Sequence, residues 1–143
     1  MTEAVIVATA RSPIGRANKG SLVSIRPDDL SAQIVQALMA KVPQVRGSDV
    51  EDVLWGIGQP AGEGGFNIAR VVSTLAGLGD VPGVTVNRYC SSSLQTIRMA
   101  AHAIKAGEGD IFVAGGVETV SRYSSGASDT APNPRFKEPG ERT

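Results

Sequence analysis

Val84-Thr85-Val86-Asn87-Arg88-Tyr89-Cys90-Ser91-Ser92-Ser93-Leu94-Gln95 is the stretch that decides the fold. Its first residues are β-branched and read as a strand over 84–87. Just past Cys90 an alanine-rich helical pattern begins, runs from Ser91 to Ala106 and is closed by Gly107. A strand that turns straight into a helix is half of a β-α-β unit, and Cys90 sits in the turn. It is the only cysteine in the chain. Free N–H groups at a helix N-terminus and the positive end of the helix dipole favour a thiolate there. From the turn alone two readings stand: a nucleophile, or the small buried hydrophobe that free cysteines often are.

Working outward, Val5 to Ala8 is a continuous apolar run and reads as a buried parallel strand. Residues 11–21 form a loop. Pro27-Asp28-Asp29-Leu30 opens a helix carried by Leu30, Ile34, Ala37 and Leu38 and stopped by Pro43. A second strand covers 52–58, a glycine-rich loop 59–65, and a helix 66–78 ended by Gly79. The last strand covers 110–116. The order β-α-β-α-β-α-β predicts an α/β fold, a layered sheet with helices on its faces. In the helix over 91–106, Leu94, Ile97, Ala101 and Ile104 form one stripe. Met99, Ala100, Ala103 and Ala106 fill much of the remainder, so this helix reads as enclosed and expecting a further layer. From Ser121 the chain turns to Ser, Gly and Pro without apolar periodicity, which reads as a loop excursion over 121–143 following a domain over 1–120.

The bulk properties remove whole classes of function. Fourteen basic residues balance fourteen acidic ones among 143, giving a formal net charge of zero, and aromatics make up 4%. That argues against a nucleic-acid partner, which needs basic patches and stacking platforms. One cysteine excludes an intrachain disulfide, and C-x-x-C and H-E-x-x-H spacings are absent, so no metal is expected. The N-terminal run lacks a basic n-region and is too short for a signal peptide. No stretch reaches the length of a membrane span, so a cytoplasmic protein is expected.

Gly56-Ile57-Gly58-Gln59-Pro60-Ala61 matches a loose dinucleotide fingerprint after a strand. Pro60 and the glycines behind it interrupt the helix that should start there, and no acidic residue closes the next strand, so the match is discarded. His102, the only histidine, lies twelve residues beyond Cys90 on the same helix. At helical rise that is about 18 Å, too far for a base, so a structural histidine is expected. Gly115-Gly116 reads either as turn residues or as a place where backbone passes close to the Cys90 turn. Glu118 reads either as a group orienting that turn or as a solvated or salt-bridged carboxylate.

Four segments in order carry a resemblance. Val86-Asn87-Arg88-Tyr89-Cys90-Ser91-Ser92-Ser93-Leu94-Gln95-Thr96-Ile97 resembles the acyl-enzyme signature of thiolases. Gly115-Gly116-Val117-Glu118-Thr119-Val120-Ser121 is similar to their G-G-[MV]-E-x-[MV]-S segment. Thr9 to Gly15 resembles their opening loop, and Gly65-Phe66-Asn67-Ile68-Ala69-Arg70 their [QN]-N-x-A-R helix start. Ser93 stands where glycine is commoner.

The resemblance implies a thiolase-like fold, N-terminal half, and acyl transfer between a 3-ketoacyl-CoA and CoA through a Cys90 thioester. It also implies that the Cys90 N–H helps form an oxyanion hole. Coenzyme A and acyl-CoA thioesters are then substrates, with no bound cofactor. The family's activating histidine, second cysteine and further histidine lie in a second half that repeats the fold, and the sequence offers no second cysteine and no G-H-P segment. A further sheet strand that follows the family's loop excursion is likewise absent. The expectation is therefore a piece that is inactive alone and is completed by remaining thiolase segments, a separate chain being one source, in a homo-oligomer, dimer or tetramer, of lipid metabolism. The competing expectations are a non-catalytic thiolase-fold assembly module and a related condensing enzyme such as a ketoacyl synthase.

Overall fold

A computed structural model describes residues 3–123. At its centre lies a three-stranded parallel sheet: β1 (Asp52–Gly56), β2 (Gly83–Val86) and β3 (Phe112–Gly116), in the order β2-β1-β3. Trp55 pairs with Thr85 on one side and Gly115 on the other. Among the described residues four α-helices accompany the sheet: α1 (Pro27–Met39), α2 (Ile68–Leu75), α3 (Ser92–Ala106) and α4 (Val120–Tyr123).

The topology places the helices. From β1 the chain moves outward through α2 to β2, then back through α3, across β1, to β3. Parallel crossovers are right-handed, so steps in opposite directions put their helices on opposite faces. Side chains alternate along a strand, and β1 shows the consequence. Val53 and Trp55 pack toward α1 and α2 in a core with Val35, Ile68 and Val72. Gly56, on the other face, lies against the start of α3. Ile68, Val72 and Val53 are fully buried, each contributing about 1.5–3 kcal/mol. The buried Trp55 indole donates to Ser31 Oγ at 3.1 Å, and Gly115 leaves the indole room: a β-carbon there would lie 2.5 Å from the ring.

The α/β reading with its parallel sheet holds, and several boundaries and one strand do not. The expected strand over Val5–Ala8 is not paired into the sheet, and Val5, Ile6 and Val7 are 71, 71 and 77% exposed. An apolar run states a preference for burial, but a strand also needs a ladder partner, and none is adjacent here. The strand expected over 52–58 ends at Gly56, because Ile57 and Gly58 already turn into the cleft described below. The helix expected over 66–78 starts at Ile68, since Phe66 and Asn67 take left-handed φ of 53° and 54°. It ends at Leu75. The other strands span 83–86 and 112–116 rather than 84–87 and 110–116. The first helix closes at Met39, before Pro43, with Ala40 as its cap.

The helix expected over 91–106 begins at Ser92 after a 3₁₀ turn, Tyr89–Ser91, and is not enclosed. Its sheet-facing residues are Ser92, Thr96 and Ala100, while Leu94 and Ile97 of the expected stripe are 69 and 41% exposed. Val120–Tyr123 forms a helical turn where a loop was expected, because Arg122 is anchored in a charge cluster. The remainder of the excursion, 124–143, lies outside the described residues.

Candidate active site

β2 is short because its β-branched run is short: Val84, Thr85 and Val86 pair with β1, and the ladder ends there. The next residues rise over the carboxyl ends of the strands. Arg88 has φ −140° and ψ 35°, and Tyr89 takes a left-handed φ of 48°. Cys90 follows and is exposed; among the described residues nothing packs it as a buried hydrophobe. The N-cap of α3, Ser91, makes no side-chain capping bond. The 3₁₀ turn before the helix bonds the Ser91 and Ser92 N–H groups to the Arg88 and Tyr89 carbonyls.

The cleft at Cys90 holds about 480 Å³ and has three walls. The loop leaving β1 supplies Gly56 to Gln59, the nucleophile turn supplies Tyr89, Cys90, Ser92 and Ser93, and the segment leaving β3 supplies Gly116 to Glu118. This is the crevice outside the carboxyl ends of a parallel sheet, above β1 and β3. α/β folds bind ligands there.

Gly58 is the junction of the three walls. Its N–H donates to Glu118 Oε2 at 2.8 Å, and its carbonyl accepts from Asn87 Nδ2 at 3.2 Å. Asn87 Oδ1 in turn accepts the Tyr89 N–H at 2.9 Å. Ser92 Oγ closes the turn, accepting from Arg88 N–H at 2.8 Å and donating to the Tyr89 carbonyl at 2.7 Å. Glu118 thus holds the β1 loop by an amide. Burial raises its pKa above the ordinary 4.5, partly offset by the amides of Gly58 and Gln59.

Of the two glycines read either as turn residues or as close-approach points to the Cys90 turn, Gly116 lies close to the head of α3, while Gly115 lies against Trp55. A β-carbon on Gly116 would collide with Ser93 Oγ and lie 2.5 Å from the Gly56 carbonyl oxygen. One on Gly56 would lie 2.6 Å from the backbone of Ser92. The discarded dinucleotide match is a three-way packing site, and a 3₁₀ turn over Gly62–Gly64, not a helix, follows it. His102 lies near the opposite end of α3, exposed, and takes no part in the cleft.

Sequence reasoning missed two features. One is Asn87, read only as the end of a strand. The other is a buried charge cluster that joins the loop leaving β1 to the segment leaving β3. Glu63 Oε1 accepts from Arg26 Nη1 at 3.0 Å and Arg122 Nη2 at 2.5 Å, and Arg122 Nε meets Glu63 Oε2. Arg26 also grips Asp28 with two bonds of 3.0 Å. The Glu63 and Asp28 side chains are 2% exposed. The Glu63 hydrogen bond holds Arg122 above its ordinary pKa. Arg122 therefore ties the segment leaving β3 to the loop leaving β1. These partners lie 37 and 59 residues apart, a separation no spacing rule reads.

The family model for the thiolase N-terminal domain matches residues 4–140. The chain belongs to the thiolase family. The thiolase segment is 49% identical over 119 residues to a 3-ketoacyl-CoA thiolase of Shewanella frigidimarina, covering 82% of this chain and 31% of that one. It is 46% identical over 134 residues to a 3-ketoacyl-CoA thiolase of Bacillus subtilis, 93% of this chain and 34% of the other. A beta-ketoadipyl-CoA thiolase of Acinetobacter baylyi is 47% identical over 134 residues, 92 and 33% respectively. The crystal structure of the Bacillus anthracis acetyl-CoA acetyltransferase superposes with a TM-score of 0.76 at 36% identity, over 85% of this chain and 30% of that chain. The chain thus spans about a third of the length of these curated relatives. Among the described residues of this thiolase segment, no helix is long and apolar enough to cross a membrane.

Proposed function

We propose that Cys90 is the acyl-accepting nucleophile of a thiolase reaction. The observation that carries this reading is the exposed thiol at the N-terminus of α3, in the cleft over the carboxyl ends of β1 and β3, within a chain of the thiolase family. The Cys90 thiolate attacks the 3-keto carbon of a 3-ketoacyl-CoA. The bond between carbons 2 and 3 breaks, and the acetyl-CoA carbanion that leaves takes up a proton. The acyl group, now a Cys90 thioester, passes to the thiolate of a second CoA, which restores Cys90. The backbone N–H of Cys90 is available to the oxyanion that forms in each addition.

In this reading the base and the proton donor come from outside these 143 residues. The sequence contains no second cysteine, and its one histidine stands at the far end of α3. A complementary thiolase segment supplies them in this reading, and the exposed Leu94, Ile97 and Val5–Val7 support a further layer over those faces. With it go a cytoplasmic location, a role in lipid metabolism and assembly into a dimer or tetramer.

The test is incubation of the chain with acetyl-CoA, alone and with the complementary C-terminal segment of a thiolase, then intact mass spectrometry under denaturing conditions. The expected result is one acetyl group per chain in the complemented sample, absent in Cys90→Ser, and no turnover by the chain alone. Turnover by the Cys90→Ser variant would overturn the nucleophile. Turnover by the isolated chain, purified to homogeneity, would overturn the need for a second segment.

A further inference from the structure

Tyr89 has the most crowded backbone of the site. At φ 48° the β-carbon of an L-residue presses on its own following carbonyl, and a bulky side chain there is a genuine outlier. Such a conformation persists only where its surroundings over-determine it. Here they do. Asn87 presents one planar amide to two neighbours: Oδ1 takes the Tyr89 N–H at 2.9 Å and Nδ2 reaches the Gly58 carbonyl at 3.2 Å. On the far side, Ser92 Oγ holds the Tyr89 carbonyl at 2.7 Å.

We infer that Asn87 is a positioning residue for Cys90: by bridging Gly58 and Tyr89 it holds residue 89 left-handed, and so fixes where the Cys90 thiol and N–H lie in the cleft. A turn relaxed to extended or right-handed φ at residue 89 redirects the chain after it and carries Cys90 away from the head of α3. The chemistry singles out asparagine. The site needs an acceptor toward an N–H and a donor toward a carbonyl on one rigid group. Aspartate supplies the first and sets a carboxylate oxygen against the Gly58 carbonyl. Leucine supplies neither.

The inference deepens the Cys90 reading and is tested without any acyl-CoA, so the two fail separately. Cys90 is the only thiol in the chain, so alkylation by iodoacetamide, followed by intact mass at one near-neutral pH, reports it alone. Asn87→Ala is expected to slow Cys90 alkylation about tenfold, the size of the population change that strain of this kind produces. In the Tyr89→Gly background the same Asn87→Ala substitution is expected to slow it by less than about threefold, because glycine adopts left-handed φ without a clamp. Thermal melts of all four proteins separate this rescue from general destabilisation, since a merely structural Asn87 would cost the same in both backgrounds. The inference is overturned if Asn87→Ala alkylates at or above the wild-type rate, or if the loss is equally large with Tyr89→Gly. Absent acylation of Cys90 alongside an intact rescue pattern would overturn the thioester reading and leave the clamp standing.

Discussion

Glu118 and Cys90 share a cleft but owe their settings to different causes, and the residues alone left the role of Glu118 open between two readings. A cysteine between a β-branched run and an alanine-rich helix announces its own position. A glutamate two residues past a strand does not announce that it will accept the Gly58 N–H. Burial holds Glu118 above its ordinary pKa, so the folded state favours its protonated form. The sign follows: this contribution to stability is fully present below pH 4.5, the ordinary value, and is lost as pH rises through the higher folded value. Glu118→Gln removes the titration while keeping a carbonyl for Gly58. Between mildly acidic and neutral pH, melts of the wild type should fall more steeply than those of the variant. Asp52, raised in the same direction by burial, keeps part of the slope in both. Identical slopes would mean that the Glu118 carboxyl is solvated.

At the scale of elements, the packing of α3 on the sheet is set by what is missing from side chains. Gly56 and Gly116 pair in register across β1 and β3, and α3 descends on them with Ser92, Ser93, Thr96 and Ala100. Thr96 Oγ1 donates to the Gly115 carbonyl at 3.1 Å, pinning helix to strand. Periodicity found the helix and its length, but it assigned the core face to the large residues. The sheet instead takes the small ones, because a helix that must bring Cys90 over the strand ends has to approach closely. Ser93, the departure from the family pattern, fits only because residue 116 has no β-carbon. Gly116→Ala should therefore destabilise the fold by about 1–3 kcal/mol, the usual cost of overpacking. Adding Ser93→Gly should recover part of that loss but not all, since the Gly56 carbonyl oxygen would still lie 2.5 Å from the new β-carbon. Denaturant melts of the two single variants and the double one check this. Full recovery would place the whole clash on Ser93, and no recovery would place it on the β1 backbone.

For the molecule as a whole, the sheet with its flanking helices was legible because short β-branched and apolar runs alternate with capped helical patterns, a consistency that leaves few topologies. The N-terminal segment was misjudged because its partner is not encoded locally. Beyond β3, the open edge of the sheet, an apolar cavity of about 680 Å³ is bounded by residues 4–12, by α1 through Leu30, Ile34 and Leu38, and by α3 through Ile97, Ala101 and Ile104. Ile97, Ala101 and Ile104 of the expected stripe of α3 thus face this space rather than the core. Thiolases are expected from the resemblance to return one more strand to this sheet, and the cavity lies where such a strand would meet both β3 and the segment 4–10. Among the described residues, no backbone hydrogen bond is donated by residues 4–12; Lys41 Nζ holds the Thr9 carbonyl at 2.6 Å. Amide exchange should accordingly divide the chain. In the isolated chain, amides 4–10 should exchange as an open segment does, while Val53 and Ile57, bonded to the Pro82 and Val86 carbonyls at 3.1 and 3.0 Å, should be among the last to exchange. On adding the complementary thiolase segment, protection is expected to rise at 4–10 and along β3 together, the outcome that a strand inserted between them requires. If 4–10 is already as protected as β1 in the isolated chain, the segment has found a strand partner by itself. If protection rises on β3 alone, the added segment pairs with the sheet edge without reaching the N-terminal run.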